Sequence, residues 1–332
     1  MKLIIQIPCY NEAATLPATI ADLPAHLEGF DRIELLVIDD GSSDGTAEAA
    51  RSLGVDHVVK LKRNTGLAHA FAVGLEEALR QGADVIVNTD ADNQYQGSGV
   101  AKLVSPILQG EADIVVGDRG VQNIKQFSPI KKLLQRAGSG VVRWASATNV
   151  PDATSGFRSL TREAALRLNV FSTYTYTLET LIQAGRMGLS VVSVPVETNA
   201  ALRESRLIAS IPQYVLRSIA TILRIFLMYE PLRVFFSVGT MLVLAGVLLV
   251  ARFGYFYIQG QGQGHVQSLI VSAILILLGF QTFLLGLLAD LIARNRRLQE
   301  EVRYRIRKLA LASPSVEGGD EADTLISASR VP

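Results

Sequence analysis

The sequence predicts an α/β domain with a mostly parallel sheet, followed by a two-helix transmembrane hairpin. Three observations lead there. Short apolar runs bounded by turn residues alternate with stretches of helical spacing over the first two hundred residues. Two later runs, Val234–Ile258 and Val266–Ala289, are long and almost free of charge. Acidic residues stand directly after three of the early apolar runs, where open α/β sheets bind their ligands.

The elements follow in order. Leu3–Ile7, Ile33–Ile38 and Val85–Val87 read as strands, as do Ile114–Val116 and Val191–Val196, while Lys125–Arg143 has helical character. The apolar run at the N-terminus is too short for a signal peptide and fits a strand. Together these make a catalytic domain over residues 1–208. Residues 209–229 carry Arg217 and Arg224 on one face of an apolar periodicity, which suggests a helix lying on a membrane surface. Residues 230–292 hold two spans, about 234–258 and 266–292, each long enough for a hydrocarbon core of about 30 Å. Arg252 lies near the end of the first, where its side chain can reach the interface. Arginines flank the outer ends of this hairpin and the 259–265 loop has neither Lys nor Arg. The positive-inside rule then places both termini and the catalytic domain in the cytoplasm, in an integral protein of the cell membrane. Residues 293–332 read as a basic cytoplasmic helix and a disordered tail, and no internal repeat is apparent.

Composition removes some classes. With 32 Lys and Arg against 31 Asp and Glu, the net charge of +1 offers no basic face for nucleic acid. The single cysteine, Cys9, excludes an intramolecular disulfide and fits a reducing compartment.

The acids at the strand ends carry the chemistry. Pro8-Cys9-Tyr10-Asn11-Glu12 follows the first strand, Asp39-Asp40-Gly41-Ser42-Ser43-Asp44-Gly45-Thr46 the second, and Asp90-Ala91-Asp92-Asn93-Gln94 the third. Two carboxylates on one turn can share a hard divalent cation, which takes its remaining ligands from substrate phosphates and water. Alone, Asp90-Ala91-Asp92 fits a solvated turn equally well, but the other two acid clusters break that parity. Asp44-Gly45-Thr46 reads as a tight turn feeding and capping a helix.

These motifs, with Asn64–Ala72 between them, resemble family 2 glycosyltransferases of the GT-A (Rossmann-like) fold. Asp152–Arg158, containing Ser155-Gly156-Phe157-Arg158, then Arg203–Arg206 and the two spans, are similar to dolichol-phosphate mannose synthase and the bacterial polyprenyl-phosphate glycosyltransferases. The resemblance implies a membrane-bound, inverting, metal-dependent transfer of one sugar from a UDP- or GDP-linked donor to dolichyl or undecaprenyl phosphate. It implies that Pro8, Tyr10, Glu12, Asp39, Asp40, Asn64 and Ala91 line the nucleotide-sugar pocket, and that Asp90, Asp92 and Gln94 hold Mg²⁺ or Mn²⁺. Gln94 is the departure, since relatives often place an apolar residue before it where this chain has Asn93. Arg119, Lys132, Arg136 and Ser139 fall where relatives bind the acceptor phosphate, and Arg203, Ser205 and Arg206 where a loop closes over the diphosphate. Asp90, Asp92, Arg119, Arg158 and Arg203 make the catalytic set, and a homo-oligomer is compatible with the reading.

One absence points to the acceptor. Where many relatives have a Glu-Asp pair as general base, this chain reads Leu178-Glu179-Thr180, leaving Asp152 as a local acid to weigh. A hydroxyl acceptor needs a base, but a phosphate monoester, with a second pKa of about 6, arrives charged. The rival readings are a processive polysaccharide synthase and a non-catalytic pseudo-transferase scaffold. The first asks for more spans, a catalytic aspartate and a Gln-x-x-Arg-Trp motif, yet Gly140 stands three residues before Arg143-Trp144. The second sits poorly with intact Asp39, Asp90, Asp92 and Arg158. The Gly260–Gly264 run follows a span rather than a strand, so it is a loop and not a phosphate cradle. His26, His57 and His265 have no ligand partners at metal spacing, and His69 sits on a helix where packing or donor contact suits it better than catalysis.

Overall fold

Alternation builds the sheet. In β1 (Lys2–Cys9), Leu3, Ile5 and Ile7 point to one face and Ile4 to the other, all fully buried, so both faces are covered. The computed structural model describes residues 1–120, 148, 150–170, 176–199, 227, 230–260 and 266–312. The expected 125–143 helix, the Arg203–Arg206 loop, the interfacial helix apart from Leu227, and the tail past 312 lie outside them. The other strands are β2 (Arg32–Asp39), β3 (His57–Lys60), β4 (Val85–Asn88), β5 (Ile114–Asp118), β6 (Arg158–Thr161) and β7 (Val191–Pro195). They lie in the order β3-β2-β1-β4-β6-β5-β7, and β6 alone runs antiparallel to its neighbours.

Helices cover both faces. Helices α1 (Leu16–Asp22), α2 (Thr46–Ser52), α3 (Leu67–Arg80), α4 (Gly99–Leu108), α5 (Arg162–Arg167) and α6 (Thr177–Arg186) occupy the connections. One core packs residues of α3, α5 and α6 against Ile4, Leu36, Ile86 and Val116; a second packs α4 against Leu3, Ile5, Val87 and Val115; a third gathers Ile7, Cys9 and Val37 with Leu16 and Ala50. The register levels the strand ends: Cys9 pairs with Asp39, Gln6 with Asn88, and Asn88 with Arg158. The C-terminal ends of β1, β2, β4 and β5 and the start of β6 therefore share one rim.

Past the sheet stand α7 (Pro231–Ile258) and α8 (Val266–Ala312), both long and apolar enough to cross a membrane. Side chains such as Leu248, Leu277 and Leu288 are more than half exposed, an apolar surface that needs lipid or a partner. The two helices meet through glycines. A Cβ on Gly279 would lie 2.9 Å from the carbonyl oxygen of Gly239 and 2.6 Å from Val243, and one on Gly246 would lie 2.7 Å from Ile276. Small residues at this seam let the backbones approach, which is how apolar helices associate where water gives no driving force.

Helix α8 continues unbroken for 47 residues, beyond the expected boundary at Ile292. Its last turns dock on the sheet domain. Arg307 donates to Glu76 of α3 at 2.7 Å and to the carbonyl oxygen of Leu168 at 3.1 Å, and Tyr304 donates to Glu163 of α5 at 2.8 Å. Leu311 and the Tyr304 ring add apolar contact to the α3–α5–α6 core.

Gly279→Leu should splay the hairpin while leaving the sheet domain folded, at a cost of about 1–3 kcal/mol. Hydrogen exchange in a bilayer mimic should show faster exchange over both long helices and no change in β1–β5. Unaltered protection would remove the glycine seam as the element holding them together.

Candidate active site

Two loops of the rim form one unit. Asn11 has a left-handed backbone (φ 53°), and its N–H donates to Ser42 Oγ at 2.8 Å while its Oδ1 accepts from Ser43 N at 3.0 Å. Glu12 N donates to Thr46 Oγ1 and Ala13 N to Asp44 Oδ2, both at 3.0 Å. Asp44 Oδ1 accepts from Thr46 N, the first N–H of α2, at 3.1 Å, as expected, and the two side chains also hold the Glu12–Ala13 backbone. The result is a fixed notch between Tyr10, which is 43% exposed, and the Asp39 turn. Cys9 is packed beneath it, and burial pushes its thiol up, so it is apolar filling.

The two aspartates after β2 differ. Asp39 is fully buried; its Oδ1 accepts from Ser42 N at 2.9 Å, and its Oδ2 has no hydrogen-bond partner among the described residues. A buried acceptor left open beside an exposed aromatic ring suits a ring N–H of a nucleobase. Asp40 instead accepts from Thr65 N and Gly66 N at 2.8 Å each and from Thr65 Oγ1 at 2.7 Å. It anchors the loop that presents exposed Asn64.

The turn after β4 is clamped from both sides. Thr19 donates to the carbonyl oxygen of Ala91 at 3.0 Å, and Asn199 donates to the carbonyls of Asn93 at 3.1 Å and Gln94 at 2.8 Å. Asn93 takes a left-handed conformation (φ 54°), reversing the chain so that Asp92 Oδ1 accepts from Gln94 N at 3.2 Å. Beneath Asp90 sits Gly156, where a Cβ would lie 2.9 and 3.1 Å from the two carboxylate oxygens and 3.0 Å from the Tyr176 hydroxyl. Glycine is therefore required there by the aspartate above it. Asn88 supports the floor, donating to the carbonyl of Gly156 at 2.8 Å and to Tyr176 at 2.9 Å while accepting from Gln6 at 2.9 Å. Among the described residues no cluster of three acidic, His or Cys ligands forms. Two partly buried carboxylates on a clamped turn fit a divalent ion that draws its other ligands from a diphosphate.

The cations divide into two kinds. Arg119, just past β5, forks onto Asp152 through Nε at 2.7 Å and Nη2 at 3.0 Å, with Thr154 Oγ1 at 3.1 Å. Its Nη1 has no partner among the described residues. Burial would raise the Asp152 carboxyl, but the Arg119 guanidinium and the Thr154 hydroxyl prevail and hold it below the usual range. Tyr95, stacked on Phe157 at 4.7 Å, lies near this pair; burial pushes its hydroxyl up to about 12.

Comparison with known proteins agrees with this geometry. Residues 4–167 match the family model described as glycosyl transferase family 2, and residues 230–294 match a GtrB C-terminal hairpin. The chain belongs to glycosyl transferase family 2. An undecaprenyl-phosphate mannosyltransferase of Micrococcus luteus is 29% identical over 206 residues, 59% of this chain and 83% of the relative. An uncharacterised protein of Methanocaldococcus jannaschii is 30% identical over 202 residues, 59% of this chain and 81% of that one. Among solved structures, glucosyl-3-phosphoglycerate synthase of Mycobacterium tuberculosis, in complex with Mn²⁺, UDP-glucose and phosphoglyceric acid, superposes with a TM-score of 0.53 at 24% identity, covering 67% of this chain and 79% of that one. That likeness establishes the fold.

In this family 2 glycosyltransferase the rim gathers Pro8, Tyr10, Glu12, Asp39, Asn64, Asp90, Ala91, Asp92, Gln94 and Arg119 from five segments. Arg158 lies deeper than the other cations. It is 1% exposed and donates to the carbonyls of Ser155 (2.8 Å), Ala153 (3.0 Å) and Thr177 (2.9 Å) and to Thr180 Oγ1 (2.7 Å). It clamps the loop beneath the site. Lys132, Arg136, Ser139, Arg203 and Arg206 lie outside the described residues. Asn88, Gly156 and Tyr176 were missed; only Gly156, inside a quoted motif, left a signal.

The Arg119–Asp152 pair sets a pH dependence with a definite sign. A carboxyl whose folded pKa is depressed contributes stability that is complete above its unfolded value of about 4 and is lost as pH falls through the folded value. Asp152→Asn should cost on the order of 3 kcal/mol at pH 7. The gap between the two proteins should close below pH about 4. Denaturation curves at pH 7, 5 and 3.5 test this, and a gap independent of pH would show that the ion pair does not stabilise the fold.

Proposed function

We propose that this chain transfers a single sugar, with inversion, from a UDP- or GDP-linked donor to the phosphate of a polyprenyl lipid, dolichyl or undecaprenyl, at the cytoplasmic face of a membrane. The observation that carries the reading is Arg119. It is a preorganised guanidinium on the same rim as Asp90 and Asp92, held by Asp152 on one edge and with no partner at Nη1 among the described residues, in a chain whose apolar hairpin is docked to the sheet domain. The Micrococcus relative, named for mannosyl transfer to undecaprenyl phosphate, supports the same acceptor class.

The donor's base fits the notch of Tyr10 and Asp39, with Glu12 and Asn64 beside it. Asp90, Asp92 and Gln94 would hold Mg²⁺ or Mn²⁺, which when bound offsets the charge of the departing nucleoside diphosphate. Arg119 receives the acceptor phosphate through its open edge, and Lys132, Arg136 and Ser139 add contacts to it. Arg203 and Arg206 close over the diphosphate. Asn199, bonded at the Asn93-Gln94 turn, stands only four residues before Arg203, a reach of about 14 Å. No strong general base is needed, because the acceptor is already ionised. With Asp152 paired to Arg119 rather than poised as a base, the chemistry rests on alignment and charge.

Orientation follows from contact. The stretch of α8 past Ile292 touches α3 and α5, so the sheet domain and the basic flank Arg294–Lys308 share one side of the membrane. The excess of arginine on that side supports a cytoplasmic placement.

Asp92→Asn should lower turnover by at least about a hundredfold and weaken the dependence on divalent ion, with the fold unchanged. Activity across a Mg²⁺ and Mn²⁺ titration, beside a thermal-unfolding control, checks it; equal activity would remove Asp92 from the site.

The acceptor is tested by giving the full chain labelled nucleotide-sugar and divalent ion with either polyprenyl phosphate or the matching polyprenol. Label should enter the lipid phase only with the phosphate, as one sugar per lipid, and mild acid should release it. Transfer to the free alcohol, or growth of a water-soluble chain, would replace this assignment with a polysaccharide synthase, and no transfer from any donor would favour a scaffold.

A further inference from the structure

Helix α1 touches both parts of the rim that must act together. It begins on Glu12, whose carbonyl oxygen accepts from Thr15 N at 3.1 Å and Leu16 N at 2.9 Å, and whose carboxylate accepts from Thr15 Oγ1 at 2.7 Å. That end belongs to the base notch. Its last residue, Asp22, accepts from Gly97 N at 2.8 Å, and a Cβ on Gly97 would lie 1.8 Å from the Asp22 carbonyl oxygen, so the chain just past the Asp90–Gln94 turn rests on the helix end. Between the two, Leu16 is buried in one core with Ile7, Cys9, Val37 and Ala91. Seven residues of helix, about 10 Å, thus connect the notch to the turn.

Thr19 stands at the middle of it. Its hydroxyl donates to the Ala91 carbonyl oxygen at 3.0 Å and lies 3.3 Å from the Thr15 carbonyl oxygen, with 3% of the residue exposed. A threonine bonded back to the preceding turn of its own helix is an ordinary arrangement and by itself carries no function. The bond to Ala91 is different in kind. It spans 72 residues of sequence, is the shorter of the two, and among the described residues is the only hydrogen bond to that carbonyl. On propensity alone threonine is a poor choice for the interior of so short a helix, and a hydroxyl at that depth calls for a partner.

The position of the Ala91 carbonyl matters. It belongs to the peptide that joins Ala91 to Asp92, between the two carboxylates in the chain, and because a peptide is planar, holding its oxygen fixes the plane from which Asp92 departs. The carbonyls that follow, of Asn93 and Gln94, are held by Asn199. Thr19 supplies the hold on the other side of Asp92.

We propose that Thr19 is a positioning residue: its hydroxyl sets the Ala91–Asp92 peptide so that Asp90 and Asp92 present their carboxylates together to the cation of a metal-bound nucleoside diphosphate, at a fixed offset from the notch that takes the base. The role rests on the proposed metal-assisted transfer, and it names what keeps the carboxylate pair in register. Loss of the hydroxyl should be felt at the metal end of the donor alone. Glu12, Thr15, Asp39 and Asp44 would keep their bonds, while the Ala91 carbonyl, left buried and unpaired, would turn toward another donor and carry Asp92 with it.

The full chain in nanodiscs, titrated with Mn²⁺ in the presence of UDP or of GDP and followed by electron paramagnetic resonance, tests this. Thr19→Val keeps the shape and loses the hydroxyl; Thr19→Ser keeps the hydroxyl. Thr19→Val should weaken Mn²⁺ binding by about tenfold or more, the usual loss when a group supporting a metal ligand is removed, and Thr19→Ser should stay near wild type. Affinity for the same nucleotide in EDTA should be equal in all three. Unchanged Mn²⁺ affinity in Thr19→Val, an equal loss in Thr19→Ser, or a parallel loss of nucleotide affinity in EDTA would each overturn the assignment. Should Thr19→Val fail to fold, Thr19→Ala takes its place against Thr19→Ser under the same criteria. Absence of nucleotide-dependent Mn²⁺ binding in the wild type is a separate result, since it would remove the metal-assisted reading itself and the proposal with it.

Discussion

A buried guanidinium with no carboxylate bonded to it among the described residues organises the rim of this enzyme. Arg158 is removed from water, and burial disfavours its charged form. Three carbonyl oxygens and the Thr180 hydroxyl take the place of a counterion, with the face of Tyr176 at 5.7 Å. Those acceptors come from the loop before β6 and the first turn of α6, so a single side chain joins segments some twenty residues apart. Because Arg158 opens the one antiparallel strand and pairs opposite Asn88, the loop it ties arrives at the C-terminal end of β4. Gly156 is thereby delivered under Asp90, where nothing larger would fit. An apolar residue at 158 would leave those acceptors buried and unpaired, and the floor of the site would have no reason to hold its shape.

The same rim separates its charges. Asp39, Asp90 and Asp92 stand at the ends of β2 and β4, and the cation Arg119 stands past β5, already oriented by Asp152. On the proposed reading an incoming phosphate would meet a guanidinium whose plane is already set, so little reorganisation would accompany binding. The pairing has a second effect: it engages the one nearby acid that sequence offered as a proton acceptor. Position and electrostatics are what this arrangement supplies.

Much of this was legible in the chain. The central strands announced themselves through apolar runs, and the acids after β1, β2 and β4 marked the ligand side because parallel strands end on one rim. What was not legible has physical causes. β3 is short and half-buried, so His57–Lys60 shows no continuous apolar run. β6 begins with an arginine, and a charged residue at full burial is what a pattern of hydrophobicity cannot anticipate. The motifs mark Arg158 and Asp40 as needed without revealing the loop contacts that each makes, because a motif records that a residue is needed and not what it touches.

Helix α8 joins the membrane problem to the chemical one. A lipid substrate brings its phosphate to the bilayer surface and keeps its tail within, so the catalytic rim must be held at a set height for alignment to serve in place of a base. Two spans alone would leave that height to a linker. Residues 293–312, about 30 Å of continuous helix, set it instead, since Tyr304 and Arg307 clasp α5 and α3 without any hinge between them and the membrane.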